Sequence, residues 1–575
     1  MINGIISSSS GKVRIDSVTE GISIGTDAGT SWGSTDDDNI AIGTNALNST
    51  DATSGDSGAD KNIAIGTSAL TALTNADSNV AIGYNAGIAI TTGDSNIAIG
   101  NSALLTTSTG ASNVAVGHKA NAGGTANANN VVVGYNALLT AADDSTNGST
   151  VIGSLAGEFL NSSGTTGGAA ITLVGYNAGR NLGDTDNNLN KGNTAIGYSA
   201  LGGGNESDRT ANTASFNTAV GWSAVAGATA DSVSVTSSEN AAVGYKALAN
   251  LSTGDDNTAI GFQAGVAIST GNNNVVIGNN AGVLMGNNSG NVVIGKEAFD
   301  AADGGEDYNV AIGYQAMSLT NYSTNDKNVA IGYQALLGGT HATGQAECIA
   351  IGSNALDATG NYGHNNIAIG KNAMSTGTVS SNENIAIGTA AMIAQSTGTA
   401  NIGIGEAALN AVTTGEKNVA LGASALYQNI VGSYNIAIGR EALYDFIAAT
   451  DDDGNNTAVG HLAGANISTG THNTCIGSNA GLGSGSEAMT GVNNTLIGYA
   501  SGMDIEGSAN SNTAVGNLSL ENLTDGDFNI AIGKSAGDYI TTGSYNIFMG
   551  YNSDSTNTNA QSQCAIGYSA ITQNS

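Results

Sequence analysis

The sequence predicts an all-β fold, a β-solenoid (β-roll) of about 30 stacked coils of 17 or more residues each. Three observations carry this prediction. A short motif recurs from end to end, its apolar residues alternate with period two, and the 575 residues include no proline. The motif is Asn, a β-branched residue, Ala, Ile or Val, Gly, two variable positions and Ala. Examples are NVAIGYNA (Asn79 to Ala86), NIAIGNSA (Asn96 to Ala103), NVVIGNNA (Asn274 to Ala281) and NIAIGREA (Asn435 to Ala442). Its glycine occurs in 30 copies from Gly25 to Gly567, and the interval between copies never falls below 17 residues. Such a floor marks a repeat unit, and the longer intervals carry insertions.

Each element of the coil follows from one feature of the motif. The residues three and one before the glycine are Ile, Val or Thr almost throughout, with Ala usually between them, which is strand patterning. Asn stands four before the glycine in 25 of 30 copies, and Ala three after it in 27. Minimal units add Ser/Thr-Thr-Gly, as in Thr91-Thr92-Gly93 and Thr541-Thr542-Gly543. Gly and Asn tolerate positive φ and mark tight corners. The expected coil is therefore strand, corner, short second strand, corner. A 17-residue unit cannot bury a core alone, so coils must stack and hydrogen-bond to one another. Thirty coils at ~4.8 Å per strand would make a rod of roughly 140 Å. Stacking predicts an Ile/Val column inside and an Asn ladder at the corner. It leaves an outward Ala face, whose small side chains favour lateral association into a parallel homotrimeric fibre; the alternative is a thin coil whose own turns fill that space.

Composition excludes several classes. There are 84 glycines, 14 basic and 46 acidic residues, and a net charge of −32. Such a chain repels phosphate, so nucleic acid is not an expected partner. Collagen would need proline and glycine at every third position. Disorder is disfavoured because 40% of residues are hydrophobic and charge is sparse. No apolar stretch approaches the length of a membrane span, so membrane insertion is not expected. Residues Met1 to Glu20 lack the repeat and any secretory pattern. They are the candidate docking or capping segment, and residues 21–575 form one continuous repeat shaft. Cys348, Cys475 and Cys564 fall inside the repeat without metal-ligand spacing, as small buried side chains. Proline would delete a ladder donor, and a charge in a stacked column would face its own copy. Charge is therefore expected in loops.

Recognition has two candidate locations. Tyr follows the motif glycine in ten copies: Tyr84, Tyr135, Tyr176, Tyr198, Tyr245, Tyr314, Tyr333, Tyr499, Tyr551 and Tyr568. Trp222, Phe262, His118 and His461 fill the same slot. Stacking would align them into an interrupted aromatic stripe. The stripe either offers ring faces to a host glycan or fills a half-buried corner or chain–chain seam. Insertions such as Ser49 to Lys61, Gly157 to Ile171, Arg180 to Gly192, Gly202 to Phe216 and Ala226 to Glu239 emerge from one edge of the coil. They serve recognition, or they are neutral drift. No cofactor is expected. Acidic runs at Asp36-Asp37-Asp38, Asp184 to Asn188 and Asp451 to Asn456 offer oxygen ligands of the Ca²⁺ type but match no full calcium loop. Solvated loops are the plainer reading of them. The five histidines, His118, His341, His364, His461 and His472, have no catalytic partner at a recognisable spacing. The acids have no repeating register from which to build a hydrolytic pair. No enzyme activity is expected.

The AIGxxA pattern resembles the head repeats of trimeric autotransporter adhesins (the YadA-like head), in which N-S-V-A-I-G-x-x-[SA] builds a left-handed β-roll in a homotrimer. The resemblance covers about residues 21 to 575. The same repeat also looks like long structural proteins of tailed bacteriophages, especially tail fibres of aquatic phages, which assemble in the host cytoplasm and leave by lysis. A coil of 17 or more residues, no secretory signal and no C-terminal anchor strands favour the phage comparison. It implies a structural fibre protein of a virion, a stiff spacer acting in host-surface attachment. Its partners would be its own copies, virion proteins at both ends and a host glycan. The last motif is followed by only five residues, which points to a shaft segment that another protein continues. The alternative is a cell-surface adhesin or self-assembling extracellular filament subunit. A polysaccharide-degrading tailspike is the remote third possibility.

Overall fold

Period two gives the motif two faces. Asn and the Ala two places later point one way, and the β-branched residue and the Ile or Val point the other. In the computed structural model the Asn and Ala face is the interior. Asn79, Asn96, Ala81 and Ala98 are fully buried, whereas Ile82 and Ile99 remain 37% and 36% exposed. The pattern of a buried centre between two half-open neighbours recurs along the chain, as in Ile63–Ile65, Val275–Ile277 and Ile385–Ile387. This corrects the expected orientation, which had Ile and Val inside and Ala outside. The coil is too thin to hold a β-branched pair in each layer. The Asn amide also has to be enclosed to find its partners, and it takes the Ala inside with it.

The structure describes residues 5–8, 11–15, 20–32, 36–49, 58–140, 146–162, 170–184, 191–202, 214–227, 236–302, 304–319, 326–338, 347–357, 363–376, 381–450, 453–483 and 488–572. Among these no residue is helical. All thirty motif copies form a three-residue strand, from Ile22–Ile24 to Cys564–Ile566. The chain divides into two compact units, Met1–Asn291 and Val292–Ser575. Within each, a strand pairs in parallel with the next and in strict register, as in Val80↔Ile97, Ala81↔Ala98, Ile82↔Ile99 of the first unit and Ile385↔Ile402, Ala386↔Gly403, Ile387↔Ile404 of the second. In the N-terminal segment, Ile5–Ser8 and Gly11–Ile15 form an antiparallel hairpin, and Gly11–Ile15 pairs antiparallel with Ile22–Ile24. The hairpin covers one edge of the first coil.

The expected second strand is mostly a turn. Regular pairing on that side is limited, among the described residues, to Asn161–Ser162 with Gly183–Asp184, Asp554–Ser555 with Ile571–Thr572, and a few isolated bridges. Elsewhere the chain alternates handedness, and the residues two and four after the glycine adopt left-handed φ. Ser102 (φ 58°) and Leu104 (φ 50°) are an example. Left-handed Leu costs about 1–2 kcal/mol, and the alternation recovers it by aiming successive N–H groups at opposite neighbours. Ser102 N–H donates to Tyr84 O at 2.8 Å and Leu104 N–H to Ala120 O at 3.0 Å. The motif Asn is not itself at positive φ. The residue before it is, as at Ser78, Ser95 and Ser112.

Large core side chains come from this turn. Leu47, Leu70 and Leu104, four after the glycine, are fully buried, as are Leu73, Ile90 and Ile268, seven after it. Volume is traded between layers. Where the strand centre is Leu173 or Leu496 instead of Ala, Gly179 or Gly502 replaces Leu in the turn, and a Cβ there would press on that leucine. The motif glycine has a double constraint. At Gly261 φ is +141°, and a Cβ would overlap the Gly278 carbonyl of the next coil. Gly93 and Gly110 are not left-handed, and only the second constraint applies to them.

The asparagine ladder forms as expected. The Oδ1 accepts the backbone N–H of the next asparagine and in many coils its Nδ2 as well, as Asn79 does from Asn96 at 2.9 and 3.1 Å. The Asn96 amide then donates to Gly110 O at 2.9 Å. Cys348 stands in this column. Its N–H donates to Asn328 Oδ1 at 2.9 Å and its thiol contacts Gly363 O at 3.4 Å. Burial pushes that thiol up to about 11. Cys475 takes an inner Ala place and is buried, with its thiol pushed up to about 12. Cys564 is exposed, a further correction, because it occupies an outward strand position.

Two substitutions test this architecture. Gly261→Ala should cost about 3 kcal/mol or more by thermal or urea unfolding, whereas Gly148→Ala, at φ +75° in open space, should cost about 1 kcal/mol. Equal losses at the two sites would contradict the close stacking. Asn257→Val removes the acceptor of the Asn274 backbone N–H and Nδ2 and the side-chain donor to Gly271 O, and should cost roughly 3 kcal/mol or more. Asn257→Cys should be milder in the same assay, because a thiol can still reach the next coil.

Candidate functional site

The outward strand residues and the slot after the glycine together build the most distinctive surface. Each coil presents two apolar or Thr side chains outward, with no charged residue at either position in any copy. Ile196, Val243 and Ile260 of the first unit, and Ile436, Ile476 and Ile530 of the second, keep more than a third of their surface open. A strip two residues wide over fourteen strands covers roughly 400 Å², which is the size of the largest apolar patches on ordinary monomers.

The aromatic slot borders this strip. After the glycine the chain leaves the strand, and the following side chain projects into solvent. In the single chain the ten tyrosines there range from 38% exposed at Tyr314 to 81% at Tyr568, so they do not fill an intrachain corner. In the first unit Tyr176, Tyr198, Trp222, Tyr245 and Phe262 form one run of five rings. Their centroids lie 5.4, 4.3, 6.5 and 5.0 Å apart in succession. His118 and Tyr135 stack at 5.2 Å. In the second unit Tyr314 stacks on Tyr333 and Tyr551 on Tyr568. Tyr84 and Tyr499 have Thr67, Asn101, Ser478 and Asn517 in the neighbouring slots and are not brought into a stack. Stacked faces are occupied by one another, which leaves edges and hydroxyls for a partner. Where the neighbour is lysine, the cation lies over the ring, as Lys296 does on Tyr314 at 5.6 Å and Lys534 on Tyr551 at 5.8 Å.

Sequence reasoning missed two further ring columns. Phe528 and Tyr545, five before the glycine, stack at 5.2 Å, and Tyr427 and Tyr444, five after it, stack at 5.1 Å. Both were legible as a recurring offset in neighbouring copies.

The acids are also more ordered than expected. Six before the glycine, carboxylates of successive coils cap backbone N–H groups of the preceding coil. Asp60 N–H donates to Asp77 Oδ1 and Asp77 N–H to Asp94 Oδ1, each at 2.8 Å. Stacked charge is tolerated because each carboxylate accepts an N–H, so charge is not confined to loops and the acids do have a register. Asp36 belongs to the calcium-like run, yet it is buried and accepts Ala59 N–H at 2.9 Å. Asp453 accepts Thr450 N–H. Asp186, Asp451, Asp452, His341, the Asp184 side chain and most of the long insertions lie outside the described residues. Among the described residues no three His, Cys, Asp or Glu side chains converge as a metal set.

A cleft of about 750 Å³ lies in the second unit, lined by Leu518, Lys534, Asp538, Tyr539, Tyr551 and Asp554 among others. Asp554 accepts N–H groups from Tyr539 at 2.8 Å and Ser555 at 2.7 Å. Burial outweighs these bonds and pushes its carboxyl up to about 6, and burial does the same to Asp300. Asp538 and Glu521 are also raised by burial, Glu521 further by the nearby Asp538 and Asp504.

A folded pKa raised above the ordinary 3.8 means that the folded chain binds the proton more tightly. The stability that Asp300 and Asp554 contribute is therefore complete below pH 3.8 and is lost as pH rises through about 6. The melting temperature should rise by a few degrees between pH 7.5 and pH 5. Asp300→Asn with Asp554→Asn should flatten that profile. An unchanged profile in the double variant would remove these two groups as its cause.

No helix among the described residues is long and apolar enough to cross a membrane. Comparison with known proteins finds no match, whether to a family model, a curated protein or a solved structure.

Proposed function

We propose that the chain is a structural fibre protein of a bacteriophage virion, a stiff spacer in host-surface attachment that assembles as a parallel homotrimer. The observation that carries this reading is the uncharged Ile/Val face repeated at every coil. A patch of this size is often functional, and here it is built of a regular, uncharged row on a chain of net charge −32. Another copy of the chain matches its spacing coil for coil, and association around an axis closes without leaving a face open. The Ile and Val columns take over the role first assigned to Ala. The ring columns beside them suit a wet border between copies. Stiffness follows from coils hydrogen-bonded to one another through strand, corner and turn. The resemblance to trimeric head repeats and to phage fibres supports the choice of three copies and of a virion. An adhesin or extracellular filament subunit would use the same surface.

Sedimentation and native mass measurement should find a particle of three 56.5 kDa chains, visible by electron microscopy as rods of uniform width. Ile260→Lys with Ile277→Lys should shift the population strongly towards single chains. A wild-type chain that stays monomeric at micromolar concentration would sink the assembly.

A further inference from the structure

Four times among the described residues, tyrosines of successive coils lie ring on ring. Tyr176 and Tyr198 have centroids 5.4 Å apart and planes 18° from parallel. The values are 5.5 Å and 15° for Tyr314 and Tyr333, 5.1 Å and 6° for Tyr427 and Tyr444, and 5.3 Å and 13° for Tyr551 and Tyr568. Three pairs occupy the slot after the glycine, and the fourth lies further round the coil. All eight rings are at least partly open to solvent. The backbone beneath each pair is held by the coil-to-coil ladder, as where Ser199 N–H donates to Tyr176 O at 2.9 Å and Gln334 N–H to Tyr314 O at 2.9 Å. With both partners on backbone held by the ladder, two phenols stay side by side.

We propose that these four pairs are sites of oxidative tyrosine coupling, which joins neighbouring coils by an intrachain carbon–carbon bond. The co-reactant is a one-electron oxidant, such as a high-valent haem peroxidase or a photo-excited metal complex. Each phenol gives up one electron to the oxidant and its hydroxyl proton to solvent, leaving a tyrosyl radical. The two radicals join through a ring carbon ortho to the hydroxyl (Cε) on each side. The hydrogen on each of those carbons then moves to the oxygen and restores the phenol. The net change is loss of two electrons and two protons per pair. Holding the partners in contact replaces a search through solution with a local step, the usual source of large effective concentrations. Each link would close a loop of 17 to 22 residues and prevent the joined coils from separating one by one.

The same structure supplies internal controls. Tyr135 rests on His118, Tyr245 lies between Trp222 and Phe262, and Tyr545 rests on Phe528. Tyr84 and Tyr499 have no aromatic residue in the neighbouring slots. None of these five faces a second phenol in its own stack. Selectivity therefore comes from the stacking register, because several controls are as exposed as the reactive rings.

The test uses the full chain, ruthenium tris-bipyridyl, brief illumination and persulfate as terminal electron acceptor. Products are read by denaturing electrophoresis, dityrosine fluorescence and peptide mapping. Chains of single-chain mobility should carry cross-linked peptides lighter by two hydrogens, joining 176 to 198, 314 to 333, 427 to 444 and 551 to 568. Their yield should exceed that from the same chain in urea by roughly tenfold or more. Tyr333→Phe keeps the stack and should remove only the 314–333 link. The proposal is overturned by equal yields in folded and unfolded protein, by intrachain links to the five control tyrosines, or by products joined only between chains. Particle mass, which tests the trimer, is measured without oxidation, so the two ideas fail separately.

Discussion

The enclosed amide of the corner asparagine decides how the rest of the coil is arranged. Its Oδ1 takes two donors from the next coil and its Nδ2 reaches a carbonyl beyond, as in the Asn79–Asn96–Gly110 set. Such a group left unpaired inside would cost about 1–3 kcal/mol for each missing bond. It therefore has to be repeated in every coil at one height. Because strand side chains alternate, this puts Ala81 inside and turns Val80 and Ile82 outward. The apolar outer face is a consequence of burying an amide.

A stack of identical layers imposes the same test on every position, namely whether a residue can sit on its own copy. Glycine passes where the carbonyl of the next coil would meet a Cβ, as at Gly261. Asparagine passes because it is donor and acceptor at once. Aspartate passes when an N–H of the preceding coil points at it, as along Asp60, Asp77 and Asp94. Tyrosine passes by ring stacking. Where a column is broken, the substitute keeps part of the bonding. Ser149 donates its N–H to Asn130 Oδ1 at 2.9 Å and its hydroxyl accepts Ile171 N–H at 3.3 Å. The absence of proline fits the same rule, since among the described residues N–H groups all round the coil donate to the coil above or below, as Ile97 does to Asn113 O and Gly100 to Ile82 O.

Interior and surface thus divide the work. Inside, small and polar residues set spacing, while Leu and Ile of the turn supply most of the apolar volume. Outside, the β-branched pairs and the rings stand where association or chemistry can reach them. Their stacking also limits them, because a ring face pressed on its neighbour is closed to a sugar, and the neighbouring ring becomes its most available reaction partner.

The repeat, its stacking, the all-β class and the asparagine ladder were legible from residues such as Asn96, Ile97 and Gly100, because a fixed spacing of strand-patterned residues has few other solutions. The alignment of the tyrosines was legible for the same reason, since equal offsets in stacked coils coincide. Which face of the strand was inside was also written there, in the shared parity of Asn96 and Ala98, but the hydrophobicity of Ile97 and Ile99 argued the other way. Only the tertiary structure decided that contest, because the width of the coil depends on how Leu104 and its neighbours fill the turn. It likewise decided that Asp77 belongs to a ladder and that Cys564 is open to solvent. Those outcomes depend on what lies one coil above or below, across 17 or more residues of chain. The motif specifies a layer, and contact between layers specifies the environment of each side chain.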